Sequence, residues 1–164
     1  MLALDQTAAM WIFLLTSPLC LLAAFNDLSR MKLPNAIVLG VVALYVVIGP
    51  FVFELPTYLW GFTHGVCMYL FGIFAYAFMG VGAGDGKFAA AMAMFIPTAD
   101  ARFVVPLFCA YLLGAFVTHR AFRALPFVRR ATQGWVSWDH KKFPMGLALA
   151  GTFVTYFGFA AFQL

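Results

Sequence analysis

Two aspartates stand at breaks in an otherwise apolar chain, and together they have the chemistry to hydrolyse an amide. Asp85 lies in Gly82-Ala83-Gly84-Asp85-Gly86-Lys87. Asp27 lies in Asn26-Asp27-Leu28-Ser29-Arg30-Met31-Lys32-Leu33-Pro34-Asn35. Acids in membrane segments are costly and rarely kept without a functional reason. Cutting a peptide bond with neither a metal nor a nucleophilic side chain requires an activated water and a polarised carbonyl. Two carboxyl groups sharing one proton supply both. The ionised member takes a proton from water, and the protonated member donates a hydrogen bond to the carbonyl oxygen. Like charges a few ångströms apart do not both ionise readily, so the pair titrates as a unit and neither residue is assigned as acid or base alone.

Other candidates have less to offer. His64, His119 and His140 share no ligand spacing, so no metal site and no cofactor are expected. Ser17 and Ser29 have no histidine nearby in the chain. Asp139 reads as a solvated loop acid among Arg and Lys, and Asp5, Glu54 and Asp100 as surface charges on the opposite face. Cys20, Cys67 and Cys109 sit singly in apolar runs with no C-x-x-C, as buried small hydrophobes do.

The elements that must position the aspartates follow from composition. Of 164 residues, 65% are hydrophobic and 10% charged, with mean hydropathy +0.95. A soluble domain is about 45–50% apolar and about 25% charged. The chain therefore reads as one all-α, polytopic membrane domain over residues 1–164. A span needs about 20 apolar residues, and six runs are predicted as spans: 8–25, 36–53, 57–79, 85–97, 103–122 and 143–162. The first lacks a basic start and a cleavage site, so it reads as a retained helix. The fourth is short, so its helix starts either near Gly80 or below the membrane surface at Asp85. Ala89, Ala90, Ala91 and Ala93 suit it to a central, closely packed position.

Charge sets the expected orientation. The breaks after the first, third and fifth runs hold Arg30, Lys32, Lys87, Arg120, Arg123, Arg129, Arg130, Lys141 and Lys142, whereas the other side holds Arg102 with Asp5, Glu54 and Asp100. Basic residues stay in the cytoplasm, so both termini are predicted outside. The net charge of +4 is thereby explained by topology and not by nucleic-acid binding. Trp135 and Trp138, in the basic segment 123–142, are expected at the inner interface. The topology places Asp27 and Asp85 on the same, cytoplasmic side. Taken singly, Asp27 is a capping or loop acid paired with Arg30 or Lys32, and Asp85 a helix N-cap beside Lys87. Two such acids on one side, each beside a backbone breaker, favour chemistry.

These residues resemble motifs of the type IV prepilin peptidases. The stretch from Asp27 to Asn35 is similar to their first aspartate motif, and Gly82 to Phe88 to their second, Gly-x-Gly-Asp-x-Lys. Phe88 stands where aliphatic residues are common. Lys142-Phe143-Pro144-Met145-Gly146-Leu147-Ala148-Leu149-Ala150-Gly151 resembles the start of their last helix. The resemblance implies a six-helix GxGD aspartic endopeptidase of the bacterial inner membrane. It would remove a short basic leader from prepilins or pseudopilins, with Asp27 and Asp85 as the catalytic pair. Gly82, Gly84, Gly86, Lys87, Arg30, Pro34 and Asn35 would shape the site or meet the substrate. Gly82 and Gly84 either let the substrate backbone approach or only form the start of the helix. The chain has neither the cytoplasmic insertion nor the C-x-x-C of the longer, methylating members, and looks like the short form found with tight-adherence (Flp-type) pili. Its partners would be a pilin helix, the bilayer and the pilus assembly machinery. Rival readings are a GxGD protease for another substrate, such as preflagellin, and a small transporter or assembly scaffold.

Overall fold

The first helix, α1 (Gln6–Arg30), begins where the carboxylate of Asp5 accepts the N–H groups of Thr7 and Ala8 at 2.9 and 3.2 Å, which satisfies two of the donors a helix start leaves unpaired. It runs through Pro18 and past the expected boundary at Phe25. Asn26 and Ser29 return hydrogen bonds to the carbonyls of Leu22 and Phe25, at 2.8 and 2.7 Å, so the polar end of the run stays helical. Asp27 therefore lies in the last turn of a helix, not in a break. Met31 closes α1 in the left-handed conformation (φ 52), its N–H bonded to the carbonyl of Asp27 at 2.9 Å. The computed structural model describes residues 2–140 and 142–163, and the topological role expected of Lys141 falls outside them.

The chain continues as α2 (Asn35–Val52) and α3 (Leu55–Met79), the latter with Pro56 in its first turn and Gly80 (φ 71) as its left-handed cap. Then come α4 (Ala83–Ala93), a 3₁₀ turn (Thr98–Asp100), α5 (Ala101–Arg123), α6 (Pro126–Ala131), a second 3₁₀ turn (Val136–Trp138) and α7 (Met145–Phe162). Among the described residues there is no strand. Among the described residues, five helices are long and apolar enough to cross a membrane: α1, α2, α3, α5 with its leading turn, and α7.

The fourth expected span, 85–97, is a half-length helix. With 11 residues, α4 rises about 16 Å, against a hydrocarbon core of about 30 Å. It starts at Ala83, between the two expected positions. It stops because the N–H groups of Phe95 and Ile96 bond three residues back, at 3.1 and 3.2 Å, and Pro97 follows. It is central, as its alanines suggest. It packs on α3, α2 and α7, and Phe88, Ala89, Ala90, Ala91 and Met92 are all buried. Between α3 and α4, Gly72 and Gly86 bring backbone against backbone.

Helices α1 and α7 pack along their lengths. At one end the Gln6 side-chain amide donates to the carbonyl of Ala161 at 3.1 Å. At the other the Gly146 N–H donates to Asp27. The pair is antiparallel and its register is pinned at both ends.

Two expectations need correction here. Asp100 is not a surface charge but only 3% exposed. Its carboxylate accepts the Ala3 N–H (2.7 Å), the Leu4 N–H (3.2 Å) and the Tyr156 hydroxyl (2.7 Å), tying the chain's start to α7 at the end of the bundle away from Asp27. Donor groups brought from distant parts of the chain make burial affordable in energy where the local sequence suggested solvent. Asp100→Ala leaves three donors without that acceptor and is expected to lower stability by about 3 kcal/mol or more, since hydrogen bonds to charged groups contribute about 1.5–3 kcal/mol each. Thermal unfolding in detergent checks this. Cys20 is buried as expected, but Cys67 and Cys109 are exposed. The basic segment is partly folded: Trp138 is buried, stacked between His119 (4.8 Å) and Trp135 (5.9 Å), and its indole N–H bonds Thr132 at 2.9 Å.

Candidate active site

Asp27, in the last turn of α1, and Asp85, in the first turn of α4, are 5% and 9% exposed. Their carboxylates lie within coulombic reach of each other. The fold thus brings together two acids that the sequence separates by two long helices.

Each is held differently. One oxygen of Asp27 accepts the N–H of Gly146, in the first turn of α7, at 2.6 Å. The side chain of Asp85 turns back over Gly82, where a β-carbon would collide with its carboxylate. Its other oxygen, Oδ1, is buried with no protein hydrogen-bond partner among the described residues. A buried carboxylate oxygen without a protein partner is where a shared proton or a reacting group would be met. Lys142 is near enough to act on the charge of Asp85, and His140 on that of Asp27. The ammonium of Lys142 also donates to the carbonyl of Gly80 at 3.1 Å, tying the start of α7 to the turn that carries Asp85.

The other expected site residues divide. Gly86 meets Gly72 of α3. A β-carbon on Gly84 would stand 2.9 Å from that of Leu33, so Gly84 lets α4 close on the segment between α1 and α2. Each of these glycines, like Gly82 beneath Asp85, has a use within the fold. Lys87 does not pair with Asp85. Its ammonium donates to the side chain of Asn35, at the first residue of α2, at 3.3 Å. Pro34 precedes that helix and makes no side-chain cap bond. Arg30 is exposed at the end of α1, and no ion pair joins it or Lys32 to Asp27 among the described residues. The one described ion pair is Arg129 with Asp139, at 2.8 Å on the surface, as suits a loop acid among basic residues.

An apolar groove of about 600 Å³ opens beside Asp85. Its floor is the small-residue face of α4, Gly86, Ala89 and Ala93, and its walls include Phe71 of α3, Phe108 of α5 and Leu149 of α7. At its far end His64 and Thr98 hydrogen-bond at 2.9 Å. The groove exists because α4 stops short and α5 packs chiefly on α7, leaving α3 and α5 apart.

Sequence reasoning placed Lys142 and Gly146 in a stretch resembling the start of the family's last helix but gave neither a role in the site. The signal available was a glycine two residues after Pro144, in the first turn of an apolar helix that has no side-chain cap. A pair of buried carboxyl groups beside an apolar groove can activate water against a bond presented by a lipid-soluble ligand. Residues 14–119, which include both aspartates, match the sequence model of the type IV leader peptidase family. No curated protein and no solved structure matches the chain.

Proposed function

We propose that this chain, which belongs to the type IV leader peptidase family, is an aspartic endopeptidase that removes basic leaders from prepilin-like precursors of the Flp type. The observation that carries this reading is that two buried acids, Asp27 and Asp85, lie within coulombic reach of each other, with an apolar groove beside Asp85. The ionised member of the pair takes a proton from water, and the water oxygen attacks the carbonyl carbon of the scissile bond. The protonated member hydrogen-bonds the carbonyl oxygen as charge develops on it. The C–N bond then breaks, the departing nitrogen gains a proton and becomes the new N-terminus, and the leader leaves with a carboxylate. The apolar helix of the precursor lies along the groove floored by Gly86, Ala89 and Ala93, with the leader junction at Asp85. The charge distribution supports a cytoplasmic site in the bacterial inner membrane with both termini outside.

The test is cleavage of a synthetic prepilin-type peptide, with a basic leader and an apolar helix, by the purified protein in liposomes. Mass spectrometry is expected to find a leader with a free carboxylate and a mature segment with a free amine. If that peptide stays intact while a preflagellin or another membrane segment is cut, the substrate class is wrong. If nothing is cut and the vesicles show proton flux that depends on Asp27 and Asp85, the protein is a transporter.

A further inference from the structure

We infer that Gly146 is a positioning residue for Asp27: its backbone N–H holds the carboxylate, and its missing side chain leaves the space the carboxylate occupies. The inference rests on the reading of Asp27 as catalytic, and it concerns a residue outside the 14–119 segment that matches the family.

The first turn of a helix has N–H groups with no partner in the helix, and its end carries partial positive charge. In α7 the residue before the helix, Pro144, supplies no side-chain cap. The carboxylate of Asp27 takes that place from 119 positions away, accepting the Gly146 N–H at 2.6 Å in a buried setting. A β-carbon at 146 would lie 2.9 Å from Oδ2, 3.0 Å from Cβ and 3.1 Å from Cγ of Asp27. All three nearest atoms belong to that one side chain, so a residue with a β-carbon displaces the carboxylate from its present position. Of the glycines in α7, Gly146 is the one packed against Asp27, whereas Gly151 faces the ring of Tyr111. At Gly158 of the same helix a β-carbon would meet only the ring of Phe13, at 3.5 Å, an ordinary contact.

Two measurements test this. The first needs no activity. With glycine labelled by ¹⁵N, the Gly146 amide proton is expected far downfield in wild type and to move upfield by about 1 ppm or more in Asp27→Ala, with the other glycine signals reporting that the fold persists. An unchanged Gly146 signal overturns the contact. The second compares Gly146→Ala and Gly158→Ala in the peptide-cleavage assay. Gly146→Ala is expected to lower kcat by about 10-fold or more, up to the ~10²-fold that a 1 Å misplacement can cost, with KM within about twofold of wild type. Gly158→Ala should cleave as wild type does. If Gly146→Ala merely reduces folded yield while the folded fraction keeps the wild-type kcat, Gly146 is a packing residue and the inference fails. If wild type cuts nothing, the peptidase reading fails, and the amide shift alone then decides the pairing.

Discussion

Asp85→Asn is expected to reduce leader cleavage at least about 10³-fold while the protein inserts and folds normally. Asparagine is nearly isosteric with aspartate, but it neither takes a proton from water nor donates one from a carboxyl group. General acid–base groups contribute about 10²–10⁴-fold each, and either role falls on a member of this pair. The fold has little reason to object, because Oδ1 of Asp85 has no protein partner to lose. Asp27→Asn is expected to fall as far, since the amide oxygen still accepts the Gly146 N–H and only the proton chemistry is removed. The double variant should be scarcely slower than either single one, because residues that act as a unit are not additive. Single-turnover cleavage, normalised to the folded fraction from size exclusion, measures all three. A variant that still cuts near the wild-type rate marks its aspartate as structural. A transporter, by contrast, would tolerate Asp→Glu at one position better than a cleavage site whose two carboxyl groups must stay in register.

Helix content and the two candidate acids were legible because both rest on strong local signals. Long apolar runs leave the backbone only itself to hydrogen-bond in lipid, and breaks with charge stand out against them. What the sequence concealed was decided between distant segments. Asp100 looks like any exposed acid until Ala3, Leu4 and Tyr156 are folded around it. The end of α1 shifted from Phe25 to Arg30 because Asn26 and Ser29 bond back into the helix instead of ending it. The short length of α4 was visible, but its consequence, a groove between α3 and α5, was not, since it depends on which neighbours each helix chooses. The glycines around Asp85 suggested approach by a substrate. In the fold Gly84 meets Leu33 and Gly86 meets Gly72, contacts that no local pattern announces.

The last of these contacts supports a strong expectation. Gly72→Leu should yield no folded protein, and Gly72→Ala should fold with lower stability and a kcat reduced about 10²-fold. A β-carbon at position 72 would stand 2.9 Å from the α-carbon of Gly86 and 3.3 Å from its carbonyl carbon and oxygen, and the reverse substitution would meet Gly72 in the same way at 3.0 Å. These neighbours are backbone, so no side chain can swing aside, and α3 and α4 must part. Helix α4 cannot simply retreat, because Phe88 and Met92 on it are fully buried in its packing with α2, α3 and α7. Overpacking of this kind typically costs about 1–3 kcal/mol. Asp85 is the neighbour of Gly86, so a shift of α4 by a fraction of an ångström to 1 Å reaches the carboxylate directly. Gly114→Ala on α5, where a β-carbon meets nothing within 4 Å, is the control and should be neutral or slightly stabilising. Gly72 also lines the groove, which offers a second way for the methyl group to act. Steric blocking of the substrate helix would raise KM and leave kcat intact, whereas displacement of Asp85 lowers kcat at unchanged KM. A rise in KM alone would mean that α4 holds its place and that Gly72 serves the groove rather than the acid.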